Sequence, residues 1–140
     1  MEFVIDDGGR SPYFKGKTAD DCVTRSIAIA SGCDYRVVYD RLAAGHHTKT
    51  GKRSARDGII TKHKWFKDYM CELGFIWTPT MKIGSGCQVH LRDGELPTGR
   101  LVVSLSRHYT AVLDGVIHDT HDPQRNGTRC VYGYWEFKGE

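Results

Sequence analysis

Long apolar runs are absent from this 140-residue chain: nothing approaches the roughly 18 consecutive apolar residues that a membrane helix needs. The opening Met-Glu-Phe-Val-Ile-Asp-Asp puts acids where a secretory leader needs a basic stretch, so a protein that stays in the cytoplasm, of a bacterium or a phage-infected cell, is expected. Cysteine is sparse and unpatterned. The five residues 22, 33, 71, 87 and 130 are odd in number and include no C-x-x-C pair, which argues against a disulfide framework and a zinc knuckle and predicts reduced thiols. Gly84-Ser85-Gly86 is a turn, not the G-x-S-x-G of a serine hydrolase, and there are no repeats or low-complexity tracts.

Hydrophobic residues make up 39% and charged residues 26%, the profile of a globular protein, and the length suits a single domain over 1–140. The first half reads as helices. Val23, Ile27 and Ala30 recur at helical spacing between Thr18 and Gly32, with Asp20 or Asp21 as cap and Gly32 as stop. A second helix is predicted from Asp34 to about Ala44, ended by Gly45. A third follows Thr61, with Trp65, Phe66, Tyr69, Met70 and Leu73 along one stripe, ending at Gly74.

The second half changes period. Phe75–Thr78, Gln88–Leu91, Leu101–Ser106, His108–Leu113, Val116–Asp119 and Cys130–Phe137 are short, rich in β-branched and aromatic residues, and separated by turn formers. Helices first and strands second predict an α+β fold with a C-terminal antiparallel sheet.

One local signal fixes geometry. Asp114-Gly115 between two strand-like runs marks a two-residue hairpin turn, which sets Leu113 opposite Val116, Ala111 opposite His118 and Thr110 opposite Asp119. His108 then lies diagonally across from Asp119 on the same side of the sheet, within reach of its carboxylate. His118 falls on the other face, and His121 is a second-choice neighbour of His108. Because His118 and His121 point apart in a strand, the dense His118-Asp119-Thr120-His121-Asp122 run is not read as a metal site, and no cofactor is expected.

Of the five cysteines, Cys22 alone is placed at the start of a helix, where unpaired backbone N–H groups favour a thiolate. A helix-borne Cys, then a strand His, then an acid on the next strand resembles the papain-like superfamily of cysteine peptidases, in particular its small bacteriophage-type members. The residues that carry the resemblance are Asp20-Asp21-Cys22-Val23-Thr24-Arg25-Ser26-Ile27-Ala28, His108-Tyr109-Thr110-Ala111-Val112, Asp114-Gly115, Asp119-Thr120 and Tyr132-Gly133-Tyr134-Trp135.

That resemblance implies a papain-like fold and a triad of Cys22 as nucleophile, His108 as base and Asp119 as its orienting partner, acting on a peptide or isopeptide bond through a thioester. The family places a Gln shortly before the nucleophile to complete the oxyanion hole. Residues 1–80 contain none, which leaves Lys17 or Thr18 as the side-chain donor in that stretch. Lys52, Arg53 and Arg56 form a basic rim suited to an acidic or extended protein substrate. Two other readings are a non-catalytic binding protein on the same fold and a nucleic-acid module using the basic 49–67 segment with Trp65, Phe66 and Tyr69 as a stacking platform.

Overall fold

The computed structural model describes residues 1–13, 21–50, 61–82 and 84–139. The elements run β1 (Glu2–Ile5), α1 (Cys22–Ser31), α2 (Tyr35–Thr50), α3 (Lys64–Leu73), β2 (Phe75–Pro79), β3 (Val89–His90), β4 (Arg100–Leu105), β5 (His108–Leu113), β6 (Val116–Asp119) and β7 (Cys130–Phe137). Among the described residues no helix is long and apolar enough to cross a membrane.

The α1 helix is buried along its whole length from Val23 to Ala30, where every residue but Arg25 is small or branched. Its C-terminus is closed twice. Gly32, at φ 75°, donates its N–H to the Ala28 carbonyl, and the Arg100 guanidinium of β4 donates to the Ala30 and Ile29 carbonyls at 2.5 and 2.9 Å. A cation on the negative end of the helix dipole thereby pins α1 to the sheet.

The strands form one seven-stranded sheet in the order β1-β6-β5-β4-β7-β2, with β3 pairing the first residues of β7. Alternation along β4 sends Val102 toward the helices and Leu101, Val103 and Leu105 into a second cluster with Val112, Ile117, Val131 and Leu91. The sheet is mixed, not antiparallel as the sequence suggests. β1 runs parallel to β6, with Phe3 opposite Ile117 and Ile5 opposite Asp119. Such pairing leaves no local signature, since parallel neighbours are joined by long crossovers rather than turns.

Two helix boundaries also differ. No Thr61 cap forms: α3 starts at Lys64, and its N-cap residue His63 makes no side-chain capping bond. α2 continues past Gly45, which the sequence marks as a stop, because that glycine serves a contact. A Cβ there would lie 2.3 Å from the Trp65 ring, so α3 packs where only a hydrogen fits. The aromatic stripe of α3 is committed to the core, with Phe66 and Tyr69 buried and Trp65 packed against them, which removes the stacking platform a nucleic-acid module needs.

The cysteines depart from expectation as well. Cys87 and Cys130 form a disulfide, their Cα atoms 5.8 Å apart, while Cys22, Cys33 and Cys71 are free thiols. The β3–β7 pairing sets His90 opposite Cys130 and so brings Cys87 across a 43-residue gap that no sequence spacing reveals. The cysteine argument for a reducing compartment therefore does not carry over.

Two outcomes follow. Gly45→Ala lowers stability in urea denaturation, because an overpacking cost of about 1–3 kcal/mol exceeds the roughly 1 kcal/mol gain in helix propensity; a more stable variant would remove the Trp65 contact as the explanation. Alkylation of the unfolded chain without reductant labels Cys22, Cys33 and Cys71, and prior reduction adds Cys87 and Cys130. Reduction lowers stability by up to about 4 kcal/mol, the chain-entropy value for a loop of this length.

Candidate active site

Three elements converge where β5 begins, β6 ends and α1 starts. The hairpin register is the one its sequence dictates: Ala111 faces His118, Val112 faces Ile117 and Leu113 faces Val116. Asp114 and Gly115 take φ 48° and 82°, the left-handed pair that such a tight turn requires.

His108, the first residue of β5, therefore meets Asp119, the last of β6. Its Nε2 lies 2.6 Å from Asp119 Oδ2, and the Thr110 hydroxyl donates to the same oxygen at 2.7 Å. Asp119 Oδ1 accepts the Thr120 N–H at 2.7 Å and lies 3.6 Å from the Arg25 guanidinium. The carboxylate is only 3% exposed. Burial alone would raise its pKa, but the hydrogen bond and charge of His108, with the bonds from Thr110 and Thr120, hold it below the usual carboxylate value.

Cys22 is the first residue of α1 and half-buried, and its thiol lies close enough to the His108 ring to raise that ring's pKa. With Nε2 taken by Asp119, Nδ1 is the ring nitrogen left to the thiol. Burial works against charge on His108, yet the hydrogen bonds and charges of Asp119 and Cys22 outweigh it and push its pKa up to about 9. The exposed His121 ring lies tilted beside the His108 ring, centroids 5.0 Å apart, and no bond from it to Asp119 is seen among the described residues. His118 faces away and pairs with Asp6 at 3.0 Å.

Asp21 does not cap α1, contrary to its sequence position. It makes no side-chain bond to the helix N-terminus; its carboxylate, 1% exposed, pairs with Arg25 and lies 3.3 Å from Arg10, while the Tyr35 hydroxyl donates to it at 2.5 Å. Burial and that bond push the Tyr35 hydroxyl far above its ordinary value. Two guanidinium groups thus offset the acid that stands next to Cys22. Asp20, Lys17, Thr18, Lys52, Arg53 and Arg56 lie outside the described residues.

Arg25, Arg10 and Tyr35 are the site residues that reading the sequence missed. A signal existed for one of them. Arg25 stands four residues after Asp21 on a helix otherwise lacking charge, a spacing at which opposite charges meet. Among the described residues no three His, Cys, Asp or Glu side chains gather so as to hold a metal ion.

The raised His108 pKa makes stability pH-dependent in a defined direction. A group charged more readily folded than unfolded contributes fully below its unfolded value of 6.5 and loses that contribution as pH climbs through about 9. Urea denaturation of the wild type should give a decline of up to about 3 kcal/mol between pH 6.5 and 9, and His108→Gln should flatten it. Identical pH profiles for the two would remove His108 as the source. Comparison with known proteins gives no match: no family model fits the chain, and no curated protein or solved structure is similar to it.

Proposed function

We propose that this chain is a papain-like thiol hydrolase that cleaves peptide or isopeptide bonds through Cys22, His108 and Asp119. One observation supports the reading: the His108 imidazole lies 2.6 Å from the buried Asp119 carboxylate and is also acted on by the Cys22 thiol at the start of α1. A raised His108 pKa favours the imidazolium at neutral pH, the state that stabilises a neighbouring thiolate.

In the reaction the Cys22 sulfur attacks the acyl carbon, forming a C–S bond. The C–N bond breaks as His108 gives its proton to the leaving amine. Water then attacks the thioester, neutral His108 takes its proton, the acid product departs and the thiolate returns. Asp119 holds the ring orientation throughout and stays ionised. The N–H groups of Cys22 and Val23, in the unpaired first turn of α1, supply oxyanion donors. Lys17 and Thr18 are the candidates for a further one, and loss of one such donor costs about 10²–10³ in rate. Lys52, Arg53 and Arg56 would favour acidic or extended protein substrates.

Small haloacetamides test the nucleophile directly. Cys71 is exposed and Cys22 half-buried, so access alone makes Cys71 the faster. The triad predicts the reverse at pH 7, with Cys22 alkylated at least about tenfold faster and the advantage lost in His108→Ala. Equal rates, or a fast Cys22 that survives the His108 change, would sink the proposal.

A further inference from the structure

We infer that Arg25 is a positioning residue of this site: its buried guanidinium ties the foot of the nucleophile helix to Asp119 and so sets the approach of Cys22 to His108. The inference rests on the thiol-hydrolase reading and extends it to a residue outside the triad.

Every other side chain buried on α1 is uncharged: Val23, Thr24, Ser26, Ile27, Ala28, Ile29 and Ala30. A guanidinium among them has a desolvation cost of several kcal/mol, and an apolar residue could fill the place at none. Among the described residues two acids face it, from different elements. Asp21 precedes α1 and pairs with Arg25 across one helical turn, whereas Asp119 ends β6, with Oδ1 3.6 Å from the same guanidinium. Asp21 is already served by Arg10 and by the Tyr35 hydroxyl. The cation that reaches across to Asp119 is therefore not accounted for by neutralising Asp21.

Its place in the chain gives that bridge a consequence. Arg25 and Cys22 are three residues apart on one rigid helix, and Asp119 is bonded to His108. A slide or rotation of α1 over the β5–β6 hairpin changes the Cys22–His108 contact and the Arg25–Asp119 distance together. From the other side the chain presses on the same turn: Gly8, at φ +69°, sits so close that a Cβ would lie 3.0 Å from the Arg25 carbonyl oxygen. Among the described residues the Asp119 carboxylate is contacted by His108, Thr110, the Thr120 N–H and Arg25, while Arg129 acts on it by charge alone, so Arg25 is the guanidinium within ion-pair distance.

The double variant Asp21→Asn/Arg25→Met separates positioning from charge balance. Removing acid and base together leaves Arg10, 14% exposed, without the carboxylate it faced, so a folded variant with a lowered thermal midpoint is expected. Positioning predicts that Cys22 alkylation at pH 7, measured against Cys71, still falls about tenfold and that its pH profile moves. A double variant that folds and keeps the wild-type rate and profile overturns the inference. Should it fail to fold, Arg25→Lys is read the same way: one ammonium can serve Asp21 or Asp119 but not both, so the loss is again expected and a wild-type rate overturns it. If neither variant folds, Arg25 is a folding residue and the inference fails. A wild-type Cys22 no faster than Cys71 instead defeats the thiol-hydrolase reading and takes this inference with it.

Discussion

The register of the β5–β6 hairpin is the constraint on which the site depends. A two-residue turn at Asp114-Gly115 admits one pairing, and in it His108 and Asp119 fall on one side of the sheet. Slipping the register by one residue would put Asp119 on the far face and bring His118 into its place. The apolar pattern prevents that slip, since Val112 and Ile117 would leave the buried cluster in the same movement. Core packing and active-site geometry are therefore enforced by the same alternation of side chains.

Around that hairpin the charges are arranged in a chain: Arg10, Asp21, Arg25, Asp119, His108. Each sign is followed by its opposite, except at the start of α1, where Cys22 joins through the imidazole. A buried chain of this kind contributes little net stability, because desolvation takes back most of the Coulomb gain. Its effect is on geometry, since its links join different parts of the backbone and two of them, Arg25–Asp21 and His108–Asp119, are hydrogen bonds. The N-terminal loop, α1 and the hairpin are held in mutual orientation by groups that would be poor choices for stability alone.

Much of this was legible beforehand. The hairpin register and the six strand locations follow from local chemistry, and the partnership of His108 with Asp119 follows from the register. What was not legible depends on distance along the chain. β1 pairs with β6 across more than a hundred residues, and nothing in Glu2–Ile5 marks its partner. Cys87 and Cys130 meet only because β3 and β7 do. Gly45 carries a strong stop signal that tertiary contact with Trp65 overrides. Asp21 occupies a capping position but is drawn instead into Arg10, Arg25 and Tyr35, a choice that local preference cannot foresee.

The cysteines divide into two chemical populations with opposite needs. The proposed function needs Cys22 as a free thiol, whereas the Cys87–Cys130 bond reinforces the β3–β7 pairing only when oxidised. A reducing agent strong enough to protect the first threatens the second, and an oxidant that secures the second attacks the first. A free Cys22 and an intact Cys87–Cys130 bond coexist only within a bounded redox window, and the solution in which the protein is handled selects which of its two sulfur states survives.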